Sequence, residues 1–249
     1  MTTLAKNGFT FKRFFIAHDK SPMKVTTDSC LLGAWAPVCA KTHTVLDIGC
    51  GCGIIGLMLA QRLEQQQYQV DAIDIDQNAV EQCIQNMHNS PFKHLNAECI
   101  DAKNYRYDQQ NHYDLIVSNP PYFDVAVSCR NEQRQQARYT QSLNHIQLIS
   151  VAKRLLKAEG FFCVVLPFDL AQQFSQFCLD NHLYLHRAMT VNYSQTLPAS
   201  LSLLCYAKYK TDNPLMQSLC MRDQNGIYTI EFRQLLNEFY LFNKPIYKT

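Results

Sequence analysis

An amide, two prolines and two aromatic rings, Asn119-Pro120-Pro121-Tyr122-Phe123, follow Ser118 and the apolar run Tyr113-Asp114-Leu115-Ile116-Val117. Proline cannot donate to a strand ladder, so the run must end there. Asn119 carries a side-chain carbonyl that accepts and an NH2 that donates. Pro120 keeps its carbonyl, has φ fixed near about −65°, and is biased towards an extended conformation by Pro121. Such a stiff turn holds two oxygens close together. Two converging acceptors suit a planar –NH2 group: they take both hydrogens, orient the nitrogen and favour the positive charge that develops when it acts as a nucleophile. Tyr122 offers a ring for a flipped base, an interaction worth about 1–3 kcal/mol in other base-stacking proteins. Phe123 is either a second such ring or a core residue.

A second constellation is Asp47-Ile48-Gly49-Cys50-Gly51-Cys52-Gly53. Ligands of open α/β sheets bind at the carboxyl ends of strands, where glycines let backbone approach them. Gly51-x-Gly53-x-x-Gly56 matches the dinucleotide pattern, and Asp74 lies about 20 residues on, as an NAD site requires. Against NAD, the strand ends at Gly49, so the match begins inside the turn. Asp47 also stands two positions before the first glycine. This arrangement resembles motif I of class I S-adenosylmethionine methyltransferases. That ligand has a cationic amine, a sulfonium and a ribose diol. Asp47 can then offer negative charge to the amine, Asp74 can accept both ribose hydroxyls, and Asp101 can accept from the adenine amino group. Any one of these aspartates could instead cap a helix or turn. Together they close three successive strands.

The elements that must position these residues alternate between two periods. Strands are expected at 44–48, 69–74, 94–100, 113–117 and 161–166. Helices are expected from 54 to about 63, at 77–88 with Asp76 as N-cap, at 143–157 and at 168–181. Ala79, Val80, Cys83, Ile84 and Met87 mark the apolar side of one helix, and Ile146, Ile149, Ala152, Leu155 and Leu156 that of another. Glu159-Gly160 reads as the stop of the latter. Strands at 184–191 and 201–209 have no helix between them and should form an antiparallel hairpin. The expected fold is a Rossmann-like α/β class: a mostly parallel seven-stranded sheet with a C-terminal antiparallel hairpin and helices on both faces. Residues 1–41 read as an N-terminal extension packing on the cofactor and RNA face, and 42–249 as the methyltransferase domain, with no linker strong enough to divide the chain.

With 249 residues, 47% hydrophobic and 18% charged, disorder is excluded. No apolar run reaches the roughly 20 residues of a membrane span, and the N-terminus lacks a signal-peptide h-region. A cytoplasmic location is expected. The eleven cysteines are odd in number and lie in apparent core segments, which favours buried thiols over disulfides. Cys50-Gly51-Cys52 has no second Cys/His pair at zinc spacing, so no metal is expected. Net charge is only +2. Locally, however, Lys6, Lys12, Arg13, Lys20 and Lys24 oppose only Asp19, and Arg130, Arg134 and Arg138 oppose only Glu132. Such patches suit a phosphate backbone or a solvated face.

Asn-Pro-Pro-Tyr resembles the fourth motif of enzymes that methylate planar nitrogens: N6 of adenine, N2 of guanine, or glutamine amides. The ends of the chain are similar to those of one family, the bacterial tRNA (adenine-N6)-methyltransferases acting on adenine 37 of valine tRNA. The shared pieces are Asn7-Gly8-Phe9-Thr10-Phe11-Lys12, Ala17-His18-Asp19, Met23-Lys24-Val25-Thr26-Thr27-Asp28, Leu31-Leu32-Gly33-Ala34-Trp35-Ala36-Pro37, Gln136-Ala137-Arg138-Tyr139-Thr140, 160–167 and Phe239-Tyr240-Leu241-Phe242. The resemblance implies methyl transfer from S-adenosylmethionine to the N6 amine of that base, with Asn119, Pro120 and Tyr122 catalytic. It implies a cofactor site from Asp47, Gly49, Gly51, Gly53, Asp74, Asp101 and Asn119, with Thr27 or Asp28 contacting the methionine end or capping a helix at 29–35. RNA contacts fall to Phe123, Arg130, Arg134, Arg138 and Lys24, the partner being the anticodon loop of tRNA, whose unstacked bases can be splayed out. The basic N-terminal segment with Phe9, Phe11, Phe14 and Phe15 either touches RNA or packs its rings on the sheet. The protein is expected to be a monomer or weak dimer. The alternatives are an N5-glutamine methyltransferase and a methyltransferase acting on another nucleic acid.

Overall fold

The computed structural model describes residues 7–21, 23–121 and 144–242. In chain order the elements are β1 (Gly8–Thr10), β2 (Phe15–Ala17), α1 (Thr27–Trp35), β3 (Thr44–Ile48), α2 (Ile54–Leu63), β4 (Gln69–Asp74), α3 (Gln77–Asn89) and β5 (Leu95–Cys99). There follow β6 (Tyr113–Ser118), α4 (His145–Leu155), β7 (Leu156–Pro167), α5 (Phe168–Asp180), β8 (Tyr184–Ser194), β9 (Ala199–Ala207), β10 (Leu215–Arg222) and α6 (Ile230–Leu235).

Strand β3 is the pivot. It pairs in parallel with β4 on one side and β6 on the other. The full order is β10-β8-β9-β7-β6-β3-β4-β5. Only β9 runs antiparallel to its neighbours, lying between β7 and β8. The carboxyl ends of the parallel strands therefore share one edge of the sheet, and the crevice opens where chain order reverses beside β3.

Alternation along the strands explains why both faces are covered. Val45, Leu115, Val117, Cys163 and Val165 point into a core with α1 and α2. Leu46, Ile48, Ile116, Phe162, Val164 and Leu166 point into a second core with α4 and α5. Helix α1 packs on α2 through Gly33, which lies against Met58. Arg62 of α2 then donates to the carbonyls of Gly33 and Ala36 at 2.9 and 2.7 Å, closing the C-terminal end of α1. Burial lowers that guanidinium to about 10. At its other end α1 is capped by Thr26, whose Oγ1 accepts from the Ser29 amide, so the helix begins at Thr27 rather than at 29. Asp76 caps α3 as its position implied, accepting from the Ala79 amide at 2.9 Å.

Three expectations change. The main sheet has eight strands rather than seven, because β10 adds in parallel to β8. Helix α4 ends at Leu155, and Glu159 and Gly160 lie inside β7. Gly160 marks a close strand approach: a Cβ there would sit 2.9 Å from the Tyr113 carbonyl oxygen. Ile84 and Ile146, read as inward-facing, are 48% and 54% exposed.

The hairpin at residues 8–17 is built into the fold. The β1–β2 hairpin stacks Phe9, Phe11 and Phe14, with ring centroids 4.6 and 4.7 Å apart, and Phe9 meets Tyr240 at 5.3 Å. Phe11 and Phe14 are buried. Arg13 is bidentate to Glu64 at 2.5 and 2.8 Å, and Lys12 donates to the Asn237 carbonyl. No helix among the described residues is long and apolar enough to cross a membrane.

Candidate active site

The glycine loop is tied to β4. The amides of Gly49 and Cys50 both donate to the Ile73 carbonyl, at 2.8 and 3.0 Å. The Gly51 amide donates to Asp74 Oδ2 at 2.9 Å, and the Asp76 amide to Asp74 Oδ1 at 3.0 Å. Each oxygen of Asp74 thus receives one backbone donor and keeps a lone pair for a hydroxyl. Gly49, Gly51 and Gly53 all have positive φ, at 73°, 52° and 84°. Gly53, which opens α2, has no room for a side chain, since a Cβ would stand 2.5 Å from Cys83 Sγ. Cys50 and Cys52 point inward with that thiol, and the described cysteines are all free.

Asp47 has no exposure at all. Its Oδ2 accepts from the Gly56 amide at 3.1 Å, and its Oδ1 has no hydrogen-bond partner among the described residues. Burial pushes this carboxyl up to about 7, and the charge of Asp74 adds to the rise. It braces the start of α2 from beneath the loop and does not line the crevice.

The crevice itself is a cavity of about 280 Å³ bounded by Gly49, Gly51, Asp74, Asp101, Asn119 and Pro120, with Ser21, Met23, Ile75 and Ala102 among the other walls. Asp101 is held by Lys103, whose amide donates to Oδ1 at 2.9 Å while the ammonium pairs with Oδ2 at 3.0 Å. On the opposite wall, Ser118 Oγ donates to the Ile48 carbonyl at 2.8 Å, joining the ends of β6 and β3. Asn119 follows, 7% exposed, and its amide nitrogen donates to Ser29 Oγ at 2.9 Å. Ser29 also accepts from Thr26 Oγ1 at 3.2 Å. The helix cap of α1 and the Asn-Pro-Pro turn therefore share one hydroxyl.

Six of the residues singled out from sequence thus meet around one cavity. Gly53 and Asp47 support it from below. Thr27 and Asp28 lie in the first turn of α1 and Lys24 is exposed, none of them on its wall. Tyr122, Phe123, Arg130, Arg134 and Arg138 lie outside the described residues. Sequence reasoning missed Ser21 and Ser29. Thr26 before an apolar run marks a helix start near Ser29, but nothing in the sequence pointed to the bond between Ser29 and Asn119, and Ser21 had no signal.

The residues fit a nucleoside-bearing cation: an acid at the end of β4 for a diol, an acid beyond β5, and a buried carboxylate with an unpartnered oxygen beneath the loop. The family described as Methyltransferase small domain matches residues 29–187. The chain is 43% identical over 240 residues to the tRNA1(Val) (adenine(37)-N6)-methyltransferase of Photorhabdus laumondii subsp. laumondii, covering 96% of this chain and 97% of the relative. It is likewise 43% identical over 244 residues to the protein of that name from Proteus mirabilis, covering 96% of each. Among solved structures, a "predicted O-methyltransferase" from Agrobacterium tumefaciens superposes with a TM-score of 0.67 at 16% identity, covering 84% of this chain and 95% of that one. NSun6 from Pyrococcus horikoshii gives 0.59 at 16% identity, covering 76% and 53%. At such identities these two likenesses concern the fold.

Proposed function

We infer, from the premise that this chain belongs to the methyltransferase small domain family and to the tRNA1(Val) (adenine(37)-N6)-methyltransferases, that it methylates the exocyclic N6 amine of adenine 37 in the anticodon loop of valine tRNA. The cofactor is S-adenosylmethionine, which when bound supplies an electrophilic methyl group on a sulfonium.

The residues then take the following roles. Asp74 accepts from the ribose hydroxyls with the lone pairs its backbone partners leave. Asp101 accepts from the adenine amine of the cofactor. Asp47, buried and ionised only at some cost, offers its unpartnered oxygen's charge towards the amino-acid end through the loop. Asn119 Oδ1 and the Pro120 carbonyl accept the two hydrogens of the target amine, orient its lone pair and stabilise the positive charge that grows on the nitrogen. Such a site needs little base strength, because the proton becomes acidic only as the new N–C bond forms. Tyr122 and Phe123 stack the flipped base, and Lys24, Arg130, Arg134 and Arg138 meet phosphates of the anticodon arm. Thr27 and Asp28 fix the start of α1 beside the cofactor rather than touching it. Residues 1–41 act as part of the catalytic unit, and the protein works in the cytoplasm as a monomer or weak dimer.

The observation that carries this reading is that Asn119 shares one cavity with Gly49, Gly51 and Asp74. The test is methyl transfer to unmodified valine tRNA, followed by mass spectrometry of the nucleosides. N6-methyladenosine is expected with the natural tRNA and absent when position 37 is guanosine. Methyl label entering protein instead of tRNA overturns the reading.

A further inference from the structure

The roof of the cofactor cavity comes from the segment before α1. Two buried amides of α3 hold that segment down. Gln82 Oε1 accepts from the Lys20 amide at 3.1 Å. Asn86 accepts from the Ala17 amide at 3.0 Å and donates to the Ala17 carbonyl at 2.8 Å. The same Asn86 amide group donates to the Cys52 carbonyl of the glycine loop at 2.9 Å. Gln82 and Asn86 are only 1% and 2% exposed. His18 Nδ1 accepts from the Val25 amide at 3.2 Å, which draws the two ends of the segment together. The position of whatever lies between them is thereby fixed over the loop.

Ser21 lies there. It is 8% exposed and lines the same cavity as Gly51 and Asp74. Its Oγ is 3.7 Å from the point where a Cβ on Gly51 would stand. That hydroxyl is buried and has no hydrogen-bond partner among the described residues. A buried hydroxyl without a partner is a cost to the fold, of about 1–3 kcal/mol. It persists where a ligand supplies the partner.

We propose that Ser21 is a direct ligand of the cofactor's ribose and completes the diol site begun by Asp74. A carboxylate can take the hydrogens of the two ribose hydroxyls but cannot donate to their oxygens. A serine hydroxyl can. Asp74 receives the Gly51 amide, and Ser21 Oγ borders the same glycine and the same cavity, so the two groups approach one part of the nucleoside from different elements. The N-terminal segment is thereby part of the cofactor site, clamped by α3 so that its hydroxyl is already in place.

Titration calorimetry with two probes tests this: S-adenosylhomocysteine, and 5′-methylthioadenosine, which has the same nucleoside without the amino-acid end. Ser21→Ala is expected to weaken both roughly three- to tenfold, the loss of one hydrogen bond. The melting temperature of the free protein is expected to stay level or rise, because the hydroxyl removed had no partner. Ser21→Cys, which keeps the shape with a weak donor, is expected to lose affinity for both probes in the same way. Unchanged affinity overturns the proposal. So does a loss confined to S-adenosylhomocysteine, which moves the hydroxyl to the amino-acid end, and so does a fall in the free protein's melting temperature that matches the lost binding. The wild-type titration is the control: absence of binding there sinks the cofactor assignment rather than the role of Ser21.

Discussion

The side-chain amide of Asn119 donates to Ser29 Oγ across 2.9 Å, and this contact sets which way the amide faces. With its nitrogen committed to the hydroxyl on α1, the Asn119 side chain is held in one amide orientation at the cavity wall. An asparagine in the reverse orientation would offer hydrogens to an amine that needs acceptors. The orientation the proposed role requires is therefore supplied by a helix from outside the sheet.

Replacing Asn119 with alanine removes the acceptor for the target nitrogen and leaves the cofactor walls at Gly49, Gly51 and Asp74 in place. We expect kcat to fall by at least about 100-fold, the scale seen on deleting a preorganised electrostatic contact. Affinity for S-adenosylhomocysteine should change little. Turnover near that of the natural protein would remove Asn119 from the mechanism.

Ser29→Ala leaves Asn119 present but removes its bond to Ser29 Oγ. The expected outcome is a fall in kcat of roughly tenfold, or about 1.4 kcal/mol, with the KM for tRNA nearly unchanged. Ser29→Thr, which restores a hydroxyl, should recover most of the rate. A loss of stability without this kcat-specific effect would reduce Ser29 to a member of the helix cap.

Asp47 gives a pH signature. Its carboxyl is held near 7 in the folded protein and returns to its ordinary value near 3.8 on unfolding. Between those values the folded chain keeps a proton that the unfolded chain releases. Stability from this group therefore falls as pH rises from about 4 to 7, and the full penalty, on the order of a few kcal/mol, is present above 7. Asp47→Asn keeps the acceptor for Gly56 without the charge. Urea unfolding at a series of pH values should show the variant gaining on the natural protein across that window; parallel curves would contradict the assignment.

Gly53→Ala meets two obstacles, a left-handed backbone and the thiol of Cys83. The expected cost is about 2–4 kcal/mol. Adding Cys83→Ala relieves the collision but not the backbone strain. The double variant should be at least about 1 kcal/mol more stable than the sum of the separate effects implies. Simple additivity in urea melts would mean that the loop shifts away from α3 instead.

The glycine loop and the Asn-Pro-Pro turn were legible because their chemistry is local: residues at fixed spacing, each directly after an apolar strand. The strands beside β3 were legible for a similar reason, since both faces are largely buried and the runs are mostly apolar. Strand β10 was not, because Leu215 and Met216 are 51% and 67% exposed on the sheet edge and leave no clean alternation. Gly160 misled because a glycine after a helix and a glycine under a neighbouring strand look alike in one dimension. Ser21 and Ser29 gained their importance from what folds against them, across separations of 30 residues for Ser21 and Gly51 and 90 for Ser29 and Asn119. Such separations carry no periodic signal.

The insertion of β9 between β7 and β8 sets a schedule for synthesis. As the chain leaves the ribosome, β7 emerges with a long apolar side and waits for a neighbour about 30 residues further on, the length of α5 and β8. Until β9 arrives, β7 is an open edge, and an open apolar edge is a template for pairing with another chain. Products cut short after β8 should therefore aggregate rather than accumulate as inactive monomers, although the whole cofactor crevice has already been made.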